Sequence, residues 1–139
     1  MDTRIAVWNT LHDGEITVLA MEGDTLVMFV SIPYIRELLA PLGDSFILRL
    51  YGFHSLDFDD GKNKHSDLTE ISKSGIEILS TESESMPVKI STTSGFLTLD
   101  FDRIDITTDT GRPVSYEEID RASFEFWEEW SIKAKALQK

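Results

Sequence analysis

The sequence predicts an α+β domain built mainly from antiparallel strands, in a curved sheet or partly open barrel of about eight strands. Three observations support this class. Apolar and polar residues alternate in many short segments, turn-forming residues separate these segments, and the last part of the chain has a helical period instead. Residues 1–139 are expected to form one domain, since this length matches a single hydrophobic core.

The predicted strands share this alternation and are bounded by Gly, Pro, Asp, Asn or Ser. Two short turns, Glu22–Asp24 and Thr93–Gly95, predict hairpins and therefore sequential antiparallel pairing. The predicted strands are Ile5–Trp8, Glu15–Met21, Thr25–Ser31, Ser45–Tyr51, Ser55–Phe58, Ile76–Thr81, Pro87–Ser91, Phe96–Phe101 and Ile104–Thr107.

Two segments interrupt the strands. A short helix is predicted after the third strand, because Ser31 suits the cap, Pro33 suits the first turn, and Pro41 and Gly43 end the element. The polar segment Asp59–Ser74 is interpreted as a surface loop.

A long amphipathic helix is predicted at the C-terminus. Ser115 and Glu118 have the spacing of a capping box. We expect the apolar stripe on this helix to pack on the sheet, with Trp130 in the core. The stripe consists of Ile119, Phe126, Trp130 and Leu137.

An internal duplication is a further hypothesis. Residues 16–31 and 76–91 align without a gap, and each copy would form a hairpin followed by two alternating strands. The alternative is that unrelated hairpins resemble each other because they obey the same physical rules.

The charge of the chain bears most directly on function. The 25 Asp and Glu outnumber 13 Lys and Arg, for a formal net charge of −12. Such a charge repels phosphate backbones and anionic lipid, so no nucleic-acid or membrane binding is expected, and a basic protein partner is favoured. The alternative is that the acidity only keeps the protein in solution.

The location is predicted to be cytoplasmic. The first residues lack a basic and apolar secretion signal, and no segment is apolar over the length of a membrane span. The chain has no cysteine, which excludes disulfides, thiolate metal sites and cysteine nucleophiles.

The motif Leu-Asp-Phe-Asp occurs twice and supplies the first candidate site residues. Strand alternation would place Leu and Phe in the core and the aspartates Asp57, Asp59, Asp100 and Asp102 on the other face. If the two strands were neighbours, these carboxylates would attract basic side chains or hard cations. The alternative is a solvated strand face.

The C-terminal helix supplies the other candidates. Phe124 projects from its polar face, and Trp127 lies at the edge of the apolar stripe beside Glu128. An aromatic side chain bordered by acids is a typical contact for a basic partner. Phe124 and Ile132 both project from the polar face, and they are interpreted either as ordinary exposed apolar residues or as a partner or dimer contact.

No catalytic, metal-ligating or cofactor-binding residue is predicted. The chain has no nucleophile elbow and no phosphate-binding glycine loop, and its one EF-hand-like segment has Leu56 and Phe58 at ligand positions. The leading hypothesis is a non-enzymatic acidic interaction module, similar in size and charge to small immunity proteins that neutralise bacterial toxins. The alternative is a small carboxylate-based enzyme or divalent-cation-binding protein using the four aspartates, with His54 or His65 assisting.

Overall fold

The structure, a computed structural model, describes residues 2–39 and 42–137 and confirms the α+β class. It contains helices and strands whose bounds follow in chain order. The helices are α1 (Thr3–Thr10), α2 (Pro33–Arg36), α3 (Leu68–Lys73) and α4 (Tyr116–Leu137). The strands are β1 (Glu15–Glu22), β2 (Thr25–Ser31), β3 (Ser45–Tyr51), β4 (Ser55–Asp59), β5 (Lys64–His65), β6 (Ile78–Thr81), β7 (Val88–Thr92), β8 (Gly95–Asp100), β9 (Arg103–Thr108) and β10 (Pro113–Val114).

The strands form two antiparallel sheets, each with five strands. The first sheet has the order β1-β2-β3-β9-β10, and the second has the order β5-β4-β8-β7-β6. Both predicted hairpins are present, since β1 pairs with β2 and β7 pairs with β8. A bridge between Glu15 and Glu77 joins the edges of the two sheets.

The two sheets are related by an internal repeat of topology. The N-terminal half of the chain contributes β1, β2 and β3 to the first sheet, and its fourth strand, β4, joins the second sheet. The C-terminal half contributes β6, β7 and β8 to the second sheet, and its fourth strand, β9, joins the first. The helices follow the same exchange, because α1 packs on β6 and α3 packs on β1. The aligned residues 16–31 and 76–91 contain the corresponding hairpins β1-β2 and β6-β7. The repeat in topology supports the duplication hypothesis.

One cluster of buried apolar side chains draws on both sheets and on the helices. Leu48 and Leu50 come from the first sheet, Leu97 and Leu99 from the second, and Trp8 from α1 is fully buried. Packing of these side chains is the main source of stability in a chain without cysteine.

The predicted strand Ile5–Trp8 is wrong, since these residues belong to α1. The Asp2 carboxylate caps this helix by accepting a hydrogen bond from the Arg4 backbone N–H. Ile5, Trp8 and Leu11 are buried at helical spacing. A four-residue alternation is too short to exclude a helix.

The predicted loop Asp59–Ser74 contains two regular elements. Asp67 caps α3 through hydrogen bonds from the Thr69 and Glu70 N–H groups, and Ile71 is buried. Residues 64–65 form the short strand β5, which pairs with the end of β4. Short β10 was likewise not predicted.

The short helix after the first hairpin is confirmed as α2, but Ser31 does not cap it. Its N-cap residue is Ile32, which has no capping side chain, and Pro33 occupies the first turn as predicted. The predicted end at Pro41 lies outside the described residues.

The long C-terminal helix is confirmed as α4, together with its capping box. The Glu118 N–H donates to Ser115 Oγ at 3.2 Å, and the Ser115 N–H donates to Glu118 Oε1 at 3.4 Å. The main neighbours of α4 are α1 and α2, not the face of a sheet. In the two described ranges, no helix combines the length and the apolar character needed to cross a bilayer.

A buried arginine fixes α2, on which α4 rests. Arg36 is fully buried, and its Nη2 and Nε donate to Asp109 Oδ1 at 2.8 and 3.0 Å. Arg36 also donates to the Ser45 and Leu39 carbonyls, so its buried donors have partners. Gly43 lies against this pair, since an added Cβ would come within 2.2 Å of Asp109 Oδ1.

We predict that Asp109→Asn lowers the free energy of unfolding by about 3 kcal/mol at pH 6, because it leaves the buried Arg36 charge unpaired. Burial alone would raise the pKa of Asp109, but hydrogen bonds from Arg36 and the Asp44 N–H outweigh burial and hold this pKa below its ordinary value. The stabilisation is therefore complete above the unfolded pKa and is lost as the pH falls through the folded pKa. In urea unfolding, the difference in the free energy of unfolding between the wild type and Asp109→Asn should shrink as the pH is lowered below about 3.9.

The control is Asp105→Asn, which removes an exposed carboxylate 4.0 Å from Arg103. It should change the free energy by less than about 0.5 kcal/mol. Equal effects of the two substitutions would contradict the role given to Arg36 and Asp109.

Candidate functional site

The two Leu-Asp-Phe-Asp motifs lie side by side, because β4 pairs with β8. Leu56 is opposite Leu99, and both side chains are buried, as is Phe58. Asp57 is opposite Thr98, and Asp100 is opposite Ser55. The predicted alternation is therefore correct: the apolar residues face the core and the aspartates face outward.

The four aspartates do not form one cluster. Asp57 and Asp100 are diagonal neighbours rather than directly opposite, and diagonal positions on paired strands have Cα atoms about 7–8 Å apart. Asp59 lies toward the other end of β4, opposite Phe96, and Asp102 lies beyond the end of β8. Among the described residues, no three His, Asp or Glu side chains come close enough together to hold a metal ion.

An exposed aromatic side chain lies among these carboxylates. Phe96 is 46% exposed on the outer face of β8, and the Lys89 Nζ of β7 lies 4.5 Å from the centre of its ring. We call this outer surface, formed by Asp57, Asp59, Asp100, Phe96 and Lys89, the carboxylate face. Sequence reasoning missed Phe96 and Lys89, although Phe96 shares the alternation of Asp100 and was therefore bound to lie on the same face.

A cavity of about 460 Å³ adjoins the carboxylate face. Lys89 and Phe96 form part of its wall, together with hydroxyl groups such as those of Ser80 and Ser91. The protein surface is therefore concave next to Phe96.

Asp102 has a separate environment at the point where the two exchanged strands cross. Its Oδ1 lies 2.9 Å from His54 Nε2, and this hydrogen bond together with the negative charge raises the pKa of His54. Gly52 makes the crossing possible with φ +61°, since an added Cβ would come within 2.2 Å of Asp102 Oδ2. His65 has a different partner, Asp60, at 2.9 Å. The two candidate histidines thus belong to separate acid pairs.

The second group of candidate residues lies on α4. The first turns of the helix are anchored, because Ile119 and Ala122 are buried. Phe126 is half-buried, with its ring centre 4.4 Å from that of Tyr34 on α2. The Tyr34 hydroxyl donates to the His12 carbonyl, and burial, helped by Asp13, raises the pKa of Tyr34 to about 12. This contact ties α2 to the end of α1 beneath the helix.

Beyond Phe126 the helix is exposed. Trp127 has ring contacts with Tyr34 and His12 but is still 38% exposed, and Phe124 and Glu128 are exposed as well. Trp130 is 56% exposed and Leu137 is more exposed still, so the prediction that they pack on the sheet is wrong. The apolar stripe continues for about three turns beyond Phe126, its last half-buried member.

The predicted partner-binding residues therefore form two separate surfaces. Asp57, Asp59 and Asp100 lie on the second sheet, whereas Phe124, Trp127 and Glu128 lie on α4, whose main contacts are with α1 and α2. Asp102 belongs to neither surface.

No family model matches the chain, and neither a curated protein nor a solved structure is significantly similar to it. Its function must therefore be argued from the residues of these two surfaces.

We predict that Ile119→Ala lowers the free energy of unfolding by about 2–5 kcal/mol, because it opens a cavity where α4 is anchored. Ile132→Ala is the matched control, since this side chain on the same helix is 63% exposed. Its effect should stay within about 0.5 kcal/mol in chemical denaturation. A large loss from Ile132→Ala, or none from Ile119→Ala, would contradict this anchoring.

Proposed function

We propose that this protein is a non-enzymatic acidic interaction module, which binds a basic protein partner at the carboxylate face. The observation that carries the proposal is the position of Phe96, an exposed ring among outward-facing carboxylates that already has a lysine ammonium over it. A partner's Lys or Arg would find the same two attractions there, carboxylate charge and an aromatic ring.

The charge balance of the chain supports this proposal. In residues 2–39 and 42–137, five Lys or Arg side chains form ion pairs with carboxylates, and Asp57 is in none of these pairs. The chain carries 25 acidic and 13 basic residues in all, an excess that gives its formal net charge of −12. The resulting negative field would speed the approach of a basic protein and slow that of an acidic one.

The finer proposal concerns the class of partner and the compartment. Small immunity proteins of similar size and charge neutralise toxins, so a basic toxin fits the partner chemistry. We propose that this binding takes place in the cytoplasm, since a reducing compartment suits a chain without cysteine.

The test begins by crosslinking the tagged protein in its source cells and identifying the proteins enriched with it. We predict that a basic protein is enriched and that Asp57→Asn/Asp100→Asn reduces its recovery. With the purified pair, the association rate constant should fall at least about tenfold between 50 and 300 mM salt, because charge steers the encounter. Stopped-flow mixing measures this rate.

The matched control is Glu22→Gln/Glu117→Gln, which removes two exposed carboxylates away from the carboxylate face and changes the net charge equally. It should slow association less than the double Asp variant does. Enrichment of acidic proteins only, a rate independent of salt, or equal effects of the two double variants would overturn the proposal.

A further inference from the structure

The outer half of α4 carries an apolar seam that the described residues cover only at its beginning, where Trp127 lies against Tyr34 and His12. Trp127, Trp130, Ala134 and Leu137 follow one another at intervals of three, four and three residues, which places them on one side of the helix. This is the spacing at which two helices pack against each other. We call these four residues the α4 seam.

In a single chain, the α4 seam leaves apolar side chains in contact with water, which is unfavourable. Trp130 and Leu137 are the continuation of the stripe whose first member, Ile119, is buried. A helical segment of this length is marginal in water without tertiary contacts. A second helix laid along the seam would remove two tryptophans from water and stabilise the outer turns.

The order of charges along α4 indicates which helix fits. Two charged residues border the α4 seam, Glu129 and Lys133, whereas Glu125 and Glu128 lie on the opposite side of the helix with Ile132. Within one helix Glu129 and Lys133 form an ion pair at 3.2 Å. In an antiparallel pair centred near Trp130 and Ser131, Glu129 of each helix also lies beside Lys133 of the other. The segment is therefore complementary to itself, although the whole chain is strongly acidic.

We propose that the outer half of α4 pairs antiparallel with the same segment of a second copy of this chain, about a twofold axis near Trp130 and Ser131. In such an isologous contact both copies use the same surface, so each contact between two different residues occurs twice. The net charge of −12 opposes approach only weakly at physiological salt, where screening acts over about 8 Å. The carboxylate face lies on other elements and stays free, so this inference does not depend on the proposed function.

Sedimentation equilibrium of the full chain tests the proposal. At 150 mM salt the wild type should form a dimer, and Trp130→Ala should raise the dimer dissociation constant at least about tenfold. Ile132→Ala is the matched control, because its side chain has similar exposure on the opposite side of the helix, and it should leave this constant nearly unchanged. A monomeric wild type at every concentration up to 200 μM, or equal effects of the two substitutions, would overturn the proposal.

The orientation has its own test, made clean by the absence of native cysteine. Under mild oxidation, Ser131→Cys should give a disulfide-linked dimer because the residue lies next to the proposed axis. Leu137→Cys should not, since its two copies would be about 20 Å apart along the paired helices. Efficient crosslinking through residue 137 would contradict the antiparallel arrangement, and so would failure of Ser131→Cys to crosslink. Circular dichroism of each variant checks that α4 is retained.

Discussion

The contact of the first turns of α4 with α1 and α2 is the constraint on which the exposure of the α4 seam depends. Ile119 and Ala122 are buried in this contact, while Arg36, bound to Asp109, holds α2 in place beneath the helix. A helix of 22 residues is about 33 Å long, which exceeds what two short helices can cover. The same anchoring that fixes the direction of α4 thus leaves its apolar residues beyond Trp127, such as Trp130 and Leu137, exposed.

The exchange of strands between the two halves has a comparable consequence for the carboxylate face. Because β4 leaves the sheet of its own half, it becomes the neighbour of β8, and the two copies of Leu-Asp-Phe-Asp meet. Leu56 packs opposite Leu99 on the inside, which forces Asp57 and Asp100 to the outside. The burial of the leucines therefore determines the position of the carboxylates. The diagonal register keeps those charges apart.

Local patterns in the sequence were sufficient for the eight longer strands, the hairpins and the start of α4, because alternation, turn residues and the Ser115 capping box each act within a few residues. These local patterns were insufficient for α1, because four alternating residues are compatible with a strand as well as with a helix. The hydrogen bond by which Asp2 caps the helix is seen only in the structure. Arg36 was also missed, since a charged residue is ordinarily exposed and its partner Asp109 is distant in the chain. The stripe of α4 was recognised, but its covering by the rest of the chain depends on tertiary structure. Strand pairs such as β4 with β8 are equally non-local.

Amide hydrogen exchange along α4 tests the central claim most directly, that only the beginning of this helix is anchored within the chain. At nanomolar concentration, amides near Ile119 and Ala122 should exchange slowly, and amides beyond Trp127 should exchange faster by orders of magnitude. At high concentration the outer amides should gain protection. Equal protection along the whole helix at nanomolar concentration would show that the chain covers its own seam and would contradict the account.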